Sequence, residues 1–468
     1  MYRLDLNWRR DREIMNLYAD LCGLLRVDQV TQNDTERMRH SHDESYHRPH
    51  LPDVVVFPES AADVVAILRY ANDRGVPVVP FAIGSSLEGH VIPVRGGISL
   101  DMMRMNRIRE IRRDDFLVCV EPGVRKDQLN AALKRFGLFF SVDPGADATV
   151  GGMAATNASG TTTVRYGVMR DQIRALEVVL PDGRVIHTGS LAAKSSSGYH
   201  LNGLFAGSEG TLGVITELWL KVHGLPESVT AARATFSSVA ECVDTTVAVM
   251  GAGVPVARME LIDEATMRAV NRYRNTSFPE APTLFFEFHG NASGLQQDVS
   301  TVREIAEAEG CASFSIETTE EGRKRLWDSR HVSYLAFRAQ FPGKHSLATD
   351  VCVPLTELAG AVSYARSLLD EAGMIGGIVG HAGDGNFHAQ IIMDPDDPKD
   401  VEKAHDITDR LVHYALERGG TCTGEHGVGL GKRAFQPIEH GSSIELMRSI
   451  KHLIDPNNIM NPGKLVDD

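Results

Sequence analysis

The chain has 468 residues and a formal net charge of −14, with 43% hydrophobic and 24% charged residues. This length predicts two or three domains, and the acidic balance argues against the basic surface that nucleic-acid binding needs. The six cysteines are scattered without a C-x-x-C pair, which argues against an iron–sulfur cluster, a zinc ribbon or a disulfide framework.

The first 20 residues are charged and lack the apolar core of a secretory signal. No stretch of the sequence approaches the ~20 apolar residues of a membrane-spanning helix. We therefore expect a cytoplasmic protein without a transmembrane segment, and peripheral contact with a membrane is compatible with this expectation.

Short strands and helices alternate in the first half of the chain. A helix is predicted near Asp11–Leu25, and Val54–Phe57 reads as a short buried strand. The next helix has Ser60 as its N-cap and Gly75 after its last turn. The remaining predicted elements of this half are strands at Val76–Ile83, Gly97–Asp101, Phe116–Glu121, Ala175–Leu180 and Val214–Val222, and a helix at Lys126–Phe136.

The glycine-rich character stops near Gly224-Leu-Pro226, and residues 227–415 look like a second domain. Alternating residues in Thr283–His289 predict a half-exposed antiparallel strand. Helical periodicity predicts five helices in this part, at Val239–Met250, Leu295–Glu309, Glu320–Phe341, Leu355–Ala372 and Val401–Arg418.

Three glycine-rich segments lie in the first half, at Ile83–Gly89, Val150–Gly160 and Ala206–Gly213. Glycine lets backbone N–H groups approach a pyrophosphate and tolerates unusual φ. One such segment would more often mark a turn, but three close together favour a nucleotide site. No G-x-G-x-x-G lies between a strand and a helix, which argues against a Rossmann NAD site.

The segment His381-Ala-Gly-Asp-Gly-Asn-Phe-His388 predicts a β-hairpin that turns at Asp384-Gly385, because a type I′ turn needs positive φ at both central positions. This register places His381 directly opposite His388. Their Cβ atoms would then lie roughly 4.5–5.5 Å apart, close enough for both imidazoles to bind one metal. A lone H-x6-H pattern is weak, and chance proximity is its commoner explanation.

The Gly424-Glu-His-Gly427 segment strengthens the metal hypothesis. Glu425 would complete a set of two imidazoles and one carboxylate, which suits zinc, manganese or iron and leaves positions for a substrate oxygen. His426 is a candidate general base, because imidazole titrates near neutral pH.

Longer motifs extend these observations over nearly the whole chain. They are Gly84–Gly89, Pro144-Gly145 with Thr149–Gly152, Ala155–Gly160, Arg165–Gly167, Gly207–Gly213, Thr349–Pro354, His381–His388, Thr421–Gly427 and Asn461–Lys464. The motifs of the first half and the tail resemble the FAD-binding domain of the vanillyl-alcohol-oxidase / p-cresol-methylhydroxylase (PCMH) flavoproteins. Those of the second half are similar to the D-lactate dehydrogenase / glycolate oxidase branch, most of all to its cytochrome-reducing D-lactate dehydrogenases.

The resemblance implies an α+β fold. A PCMH-type FAD domain of two α+β subdomains would be joined to a cap domain in which helices flank an antiparallel sheet. The implied parts are an N-terminal helical segment over 1–50, the FAD domain over 51–225, the substrate or cap domain with the metal site over 226–418, and a C-terminal segment returning to the FAD domain over 419–468.

The resemblance also implies FAD, without a covalent tether, because no histidine aligns with one; His90 comes after the loop's glycine. The implied cofactor-binding residues are Ile83, Gly84, Ser85, Ser86, Leu87, Glu88, Gly89, Pro144, Gly145, Thr149, Gly151, Gly152, Ala155, Thr156, Asn157, Ser159, Gly160, Thr163, Tyr166, Gly167, Glu209, Gly210, Gly213, Ile215, Glu425 and Asn461. The family's metal ligands match His381, His388 and Glu425.

The catalytic residues that the resemblance implies are His426 as the base and Arg330 as the partner of the substrate carboxylate. A guanidinium fork suits a bidentate carboxylate, although an arbitrary arginine on a helix more often forms a surface salt bridge. Tyr334, one turn later, would share the face of Arg330 and line the pocket. Gln390 and His426 complete the implied substrate-binding set.

Two positions bear on the substrate. Ala348 stands where related D-2-hydroxyglutarate dehydrogenases have a substrate-holding lysine, and Gln390 where they have asparagine. A second substrate carboxylate would therefore lack an obvious partner, and burying it unpaired is costly. A monocarboxylate such as D-lactate fits better.

The implied function is the FAD-dependent oxidation of a D-2-hydroxy acid, most of all D-lactate to pyruvate. The metal would orient the hydroxyl, His426 would take its proton, and hydride transfer and a carbanion route both stay open. Electrons would pass to cytochrome c, a quinone or an electron-transfer flavoprotein, and a homodimer is compatible with the sequence.

Two kinds of alternative remain. The first is a D-2-hydroxyglutarate or glycolate dehydrogenase, including a subunit that needs partners. The second is a non-redox flavoprotein such as an alkyl-dihydroxyacetone-phosphate synthase, whose His-His-His run this chain lacks.

Overall fold

The computed structural model describes residues 16–466 and has the predicted α+β fold, built on three main sheets. The part of the predicted N-terminal helix over 11–15 lies outside the described residues, whereas residues 16–24 form a helix (α1). Within the described chain, no helix combines the length and the apolarity that crossing a membrane requires.

The first sheet has four strands in the order β1-β2-β4-β3, with β2 and β3 parallel to β4. Its strands are β1 (Val30–Thr31), β2 (Val54–Val56), β3 (Val78–Phe81) and β4 (Ile98–Asp101). A crossover helix joins β2 to β3. As predicted, the Ser60 hydroxyl accepts the amide of Asp63 at its start, and Gly75 follows its last turn in the left-handed region.

The second sheet has five antiparallel strands in the order β5-β6-β10-β8-β9. They are β5 (Ile108–Arg112), β6 (Leu117–Val120), β8 (Ile173–Val179), β9 (Val185–Gly189) and β10 (Val214–Lys221), and a separate ribbon joins β7 (Leu138–Phe139) to β11 (His223–Gly224). The helices of these first two sheets are α2 (Asp34–Arg39), α3 (Ala61–Arg74), α4 (Lys126–Lys134), α5 (Val150–Thr156), α6 (Thr163–Tyr166), α7 (Met169–Gln172) and α8 (Leu201–Phe205).

The third sheet is antiparallel and has the order β15-β12-β14-β13-β18-β19-β16, with β17 also paired to β19. Its strands are β12 (Ser228–Thr235), β13 (Val256–Ile262), β14 (Thr283–Gly290), β15 (Ser313–Glu317), β16 (His345–Ala348), β17 (Val351–Cys352), β18 (Ile375–His381) and β19 (Asn386–Met393). The associated helices are α9 (Val239–Gly251), α10 (Glu264–Arg274), α11 (Ala292–Ala308), α12 (Glu320–His331), α13 (Ser333–Gln340), α14 (Leu358–Ala372) and α15 (Pro398–Glu417).

The β14 strand is buried along almost its whole length, so the prediction of a half-exposed strand is wrong. Phe286 and Phe288 pack into the core beneath α9, α11 and α14. The opposite face of the strand carries Glu287 and His289, which are also buried. The alternation therefore separates an apolar core from a buried polar face, rather than a core from solvent.

The predicted helix at Glu320–Phe341 is two helices, α12 and α13, separated at Val332. Val332 is buried and packs with Val270 and Ala336, so α13 follows the packing surface of α10 instead of continuing α12. Tyr334 therefore does not lie one turn beyond Arg330 on the same helix. The other predicted helices of this half are confirmed to within a few residues.

The chain ends by returning to the first sheet. After α16 (Gln436–His440) and α17 (Ser443–Ile454), the Ile459 carbonyl accepts the Val78 amide at 2.7 Å, and the Asn461 amide donates to Val78 at 2.8 Å. Asp455 is 1% exposed, and its carboxylate accepts the amides of Ile459 and Met460 at 3.1 and 2.8 Å.

Replacing Asp455 with alanine should lower the free energy of unfolding by about 2–3 kcal/mol, because two buried amides lose a charged acceptor. Urea unfolding with FAD bound would measure this loss. Asp73→Ala, which removes an exposed carboxylate, is the control. Equal stability of the two variants would show that Asp455 does not anchor the tail.

Candidate active site

Polar side chains cross one face of the third sheet and meet the C-terminal segment. Glu260 on β13 is paired with His381 on β18, and Val379 on β18 is paired with His388 on β19. Because residues two apart share a face of a strand, Glu260, His381 and His388 all lie on one side of the sheet. Each of these three side chains is buried.

The hairpin between the two histidines differs from its predicted form. His381 pairs with Asn386, so the loop has four residues, and only Gly385 of the two predicted turn residues has positive φ, at +76°. The prediction that His381 lies directly opposite His388 is therefore wrong, because His388 lies opposite Val379, two residues before His381. A shift of two keeps both side chains on the same face, and the rings are diagonal neighbours with centroids 5.6 Å apart.

The three predicted metal ligands converge. His381 Nε2 and His388 Nε2 lie 3.2 and 3.1 Å from Glu425 Oε1, and the ligand atoms of the three residues are all within 4.8 Å of one another. The other nitrogen of each imidazole and the other oxygen of Glu425 also have hydrogen-bond partners. His381 Nδ1 is 2.7 Å from Glu260, His388 Nδ1 is 2.9 Å from the Thr349 carbonyl, and Ser159 Oγ donates to Glu425 Oε2. Such support orients metal-binding side chains.

The electrostatics of this cluster favour a cation. Burial alone would lower the pKa of His381, but the carboxylates of Glu260 and Glu425 hold it well above its ordinary value. Burial would likewise raise the pKa of Glu425, yet His381 and His388 keep it well below its usual range. The cluster therefore contains two imidazoles and two ionised carboxylates. Of these groups, the two imidazoles and the Glu425 carboxylate are the donors that fit a divalent metal.

Asp350, which sequence reasoning did not single out, organises the turn that carries Glu425 and His426. Its Oδ2 accepts the amides of Glu425 and His426 at 2.9 and 2.8 Å and the Thr423 hydroxyl. Its Oδ1 accepts from Asn386 Nδ2 at 2.9 Å. Although Asp350, His388 and His426 also lie close enough to hold an ion, the carboxylate is committed to these donors, so we assign it a structural role.

His426 lies beside the metal-binding set. Its ring is parallel to that of His388, with centroids 5.0 Å apart. Its Nδ1 is 3.8 Å from Glu88, which also faces Lys432 Nζ at 3.3 Å. Burial lowers the pKa of His426, but Asp350 and Glu88 outweigh that effect and raise it above the ordinary value. A base assignment is compatible with this position.

Arg330 lies next to the cluster through Glu260. Its Nε and Nη2 are 2.8 and 2.7 Å from Glu260 Oε2, while Glu260 Oε1 contacts His381. Glu260 is 0% exposed and was missed from the sequence, although a glutamate inside the apolar run Met259–Ile262 is an available signal. One carboxylate thus links the arginine to a metal ligand.

The two remaining predicted substrate residues lie on β19 and α13, and Gln390, two residues beyond His388, shares its face of the strand. Gln390 is buried on β19 and pairs with Ala348 of β16. Tyr334 is half-buried on α13.

The predicted cofactor loops converge on the C-terminal segment. The Glu209 carboxylate accepts the amides of Val428 and Gly429 at 2.7 and 2.9 Å, and the Glu88 carbonyl accepts the Leu430 amide. Gly427 has φ of +88°, and a Cβ there would lie 2.6 Å from His90 and 2.8 Å from Glu209, so only glycine fits.

Other predicted cofactor residues fall into two groups. Ile83–Leu87 and Ala155–Asn157 are all partly exposed, and the space beside Gly145 is open to at least 4 Å, as expected for loops that line a ligand cleft. By contrast, Gly151 packs on Pro122 and Gly213 on β8, and the hydroxyls of Thr149 and Thr163 accept the Gly152 and Gly160 amides. The second group supports the loops through close packing and through hydrogen bonds from backbone amides to threonine hydroxyls. Together the residues present fit a dinucleotide such as FAD.

The comparisons with known proteins cover both halves of the chain. The family model "FAD linked oxidases, C-terminal domain" matches residues 225–465, and "FAD binding domain" matches residues 52–189. A probable mitochondrial D-lactate dehydrogenase of Danio rerio is 45% identical over 94% of this chain and 89% of that protein. A mitochondrial D-lactate dehydrogenase [cytochrome] of Arabidopsis thaliana is 42% identical over 94% and 78%.

The solved structure of p-cresol methylhydroxylase with substrate bound has the same fold. It superposes with a TM-score of 0.79 at 18% identity, over 97% of this chain and 96% of that one. At this identity the likeness supports the fold alone.

The expectation of a cytoplasmic location is wrong. The D-lactate dehydrogenases of Danio rerio and Arabidopsis thaliana are both named as mitochondrial, which points to mitochondria rather than the cytoplasm. The expectation rested on the lack of a secretory signal, and organellar transit peptides have a different, amphipathic composition.

Proposed function

Because this chain belongs to the FAD-linked oxidases, in their D-lactate dehydrogenase branch, and is an FAD-dependent dehydrogenase, we propose that the site above oxidises D-lactate to pyruvate with a bound divalent metal. The metal role is supported by the convergence of two imidazoles and one carboxylate. His381 Nε2 and His388 Nε2 lie 3.2 and 3.1 Å from Glu425 Oε1. Electrons would leave to a cytochrome, in keeping with the name of the Arabidopsis thaliana relative.

The proposal assigns a role to Arg330, to His426 and to the three residues of the predicted metal site. Arg330 binds the substrate carboxylate with the side of its guanidinium that Glu260 does not occupy. His426 accepts the hydroxyl proton at its imidazole. His381, His388 and Glu425 would hold the metal, which lowers the pKa of a bound hydroxyl. FAD, when bound, supplies the two-electron acceptor for the α-hydrogen.

Glu260 is a positioning residue in this scheme. It contacts Arg330 with one oxygen and His381 with the other, so it sets the carboxylate-binding group and a metal ligand in one frame. Because Arg330 carries the charge that balances Glu260, the substrate carboxylate meets a partly neutralised guanidinium. This favours one carboxylate over two, in agreement with Ala348 at the position of the dicarboxylate-binding lysine.

Anaerobic bleaching of the bound flavin tests the proposal directly. We expect rapid bleaching by D-lactate and slower bleaching by glycolate and D-2-hydroxyglutarate, with no response to L-lactate. Bleaching mainly by D-2-hydroxyglutarate would overturn the argument from Ala348. Lack of bleaching by every acid, in protein that holds FAD and metal, would overturn the proposed oxidation.

Replacing Arg330 with lysine should lower kcat/KM for D-lactate by about 100-fold, mainly through a higher KM, because lysine keeps the charge beside Glu260 but loses the bidentate fork. Steady-state kinetics with an artificial electron acceptor would measure the effect. Arg268→Lys, at an exposed arginine paired with Glu280, is the matched control. An unchanged KM in Arg330→Lys would exclude Arg330 as the carboxylate partner.

A further inference from the structure

A second network of polar side chains lies beside the site already described. It connects the third sheet to the loops predicted to hold FAD, which we call the flavin loops. Tyr166 Oη is 2.8 Å from His289 Nδ1, and His289 Nε2 is 2.9 Å from Glu287 Oε1. Glu287 Oε1 lies 3.5 Å from Arg258 Nε, and Arg258 Nη2 donates to Asp143 Oδ2 at 3.2 Å. We call these five residues the bridge.

The bridge begins and ends on the flavin side. Asp143 immediately precedes the predicted loop Pro144-Gly145, and Tyr166 lies in the predicted motif Arg165–Gly167. Between these ends, the network of side chains includes Arg258 on β13 and Glu287 and His289 on β14. The third sheet is thus tied at two points to the loops predicted to hold FAD.

Both ends are fixed by their own surroundings. The Asp143 carboxylate accepts the Thr162 amide and the hydroxyls of Thr161 and Thr162, at 2.6 to 3.0 Å. Arg165, next to Tyr166, donates to the carbonyls of Pro255 and His289, both at 2.8 Å. A shift of β13 or β14 would therefore be passed to the flavin loops through several short hydrogen bonds.

Arg258 differs from Arg330 in its charge balance. It faces two carboxylates, Asp143 and Glu287, and its guanidinium lies 5.0 Å from the centre of the Trp327 ring. Arg330 has Glu260 as its ion-pair partner in the described chain. Because Arg258 faces two carboxylates and Arg330 faces one, Arg258 is better suited to holding elements together than to binding a substrate anion.

The bridge shares a strand with the metal site. Arg258 lies two residues before Glu260 on β13, so the two side chains are on the same face of the sheet, and Glu260 contacts His381 and Arg330. Movement of β13 at Arg258 would therefore displace the groups that orient the metal ligand and the carboxylate partner.

We propose that Arg258, with Asp143, Glu287, His289 and Tyr166, is a positioning bridge that sets the distance between the flavin loops and the metal-binding face of the sheet. The role of this distance in the reaction rests on the proposed function. The bridge touches neither the metal ligands nor, in this scheme, the substrate. It acts by fixing the position of the flavin loops relative to the metal-binding face of the third sheet.

The test compares Arg258→Met with Arg268→Met, an exposed arginine on α10, in full-length FAD-loaded protein. Anaerobic stopped-flow would separate the limiting rate of flavin reduction from the apparent Kd of D-lactate, and visible circular dichroism would report the flavin environment. For Arg258→Met we expect FAD retention, an altered flavin spectrum and a limiting rate lower by about 100-fold, with the Kd of D-lactate within about threefold. Arg258→Lys should restore part of the rate.

Two outcomes would overturn the proposal. A large rise in the Kd of D-lactate at an unchanged limiting rate would make Arg258 a substrate-binding residue. Unchanged rate and unchanged flavin spectrum would make the bridge irrelevant to positioning. If Arg258→Met fails to fold, Tyr166→Phe removes a single hydroxyl, and an unaltered flavin spectrum and rate in that variant would count equally against the bridge.

The flavin spectrum also separates this proposal from the proposed function. If D-lactate fails to reduce the wild-type flavin, the proposed oxidation is wrong. The spectral difference between Arg258→Met and wild type still tests whether the bridge sets the flavin loops, because it requires no turnover.

Discussion

Replacing His426 with alanine is expected to slow the reduction of bound flavin by D-lactate by about 10³-fold, because the reaction loses the group that takes the hydroxyl proton. FAD should stay bound, since the His426 backbone amide, not its ring, makes the contact to Asp350 that holds the turn. Anaerobic stopped-flow at saturating D-lactate would measure the limiting rate. The apparent Kd of D-lactate should change much less.

His452→Ala, at an exposed histidine of α17, controls for the loss of an imidazole. A His426→Ala variant that keeps near-native flavin reduction with FAD bound would exclude His426 as the base. A variant that has lost FAD would be repeated as His426→Gln, which keeps a polar side chain beside Glu88. Near-native reduction in that variant would exclude the assignment as well.

Replacing His388 with alanine is expected to remove the metal and to slow flavin reduction by about 10³-fold, corresponding to about 4 kcal/mol of transition-state stabilisation. His388 is the more informative ligand because its other nitrogen, Nδ1, lies beside the Thr349 carbonyl, at 2.9 Å, and the Asp350 carboxylate, at 3.6 Å, rather than beside Glu260. His381, by contrast, also contacts Glu260 and hence Arg330, so its replacement would disturb two roles at once. Elemental analysis and stopped-flow on the same preparation would test both consequences.

Metal removal from the unaltered protein provides the matched experiment. Protein treated with a chelator should lose activity and regain it when Zn²⁺, Mn²⁺ or Fe²⁺ is added singly, whereas His388→Ala should not respond to any of them. Full activity of metal-free protein would show that the cluster of His381, His388 and Glu425 has no catalytic metal.

The sequence predicts the face of the hairpin but not its register. Asp384-Gly385 favours a type I′ turn, yet the loop instead contains a short 3₁₀ turn at Ala382–Asp384 that ends at Gly385 in the left-handed region. His381 and His388 still share a face because side chains alternate with period two. A register shift of one residue would have placed the two side chains on opposite faces of the sheet, whereas a shift of two residues keeps them on the same face.

Long-range partners lie beyond such reasoning. Glu260 meets His381 across 121 residues, and Asp350 meets the amide of Glu425 across 75. No local pattern specifies which buried carboxylate faces which strand. The break at Val332 has a similar origin, since the packing of α13 against α10 overrides a continuous helical pattern.

The fold class, by contrast, is correctly implied by the family resemblance that the ordered motifs carry. The strand–helix–strand unit at Val54–Phe81 is evident from the sequence pattern, whereas the return of the C-terminal segment is implied only by the family resemblance. The contacts that Asn461 makes, however, become visible only in three dimensions.

The return of the chain end has a consequence for biosynthesis. Asn461 Nδ2 donates to the carbonyls of His90 and Glu209, across 371 and 252 residues. The ribosome therefore synthesises the predicted flavin loops at His90 and Glu209 long before Asn461, the residue that joins them. Contacts of such sequence separation also slow folding. We therefore expect FAD to bind stably only after Asn461 has been synthesised, so that the incomplete cleft is exposed to aggregation until then.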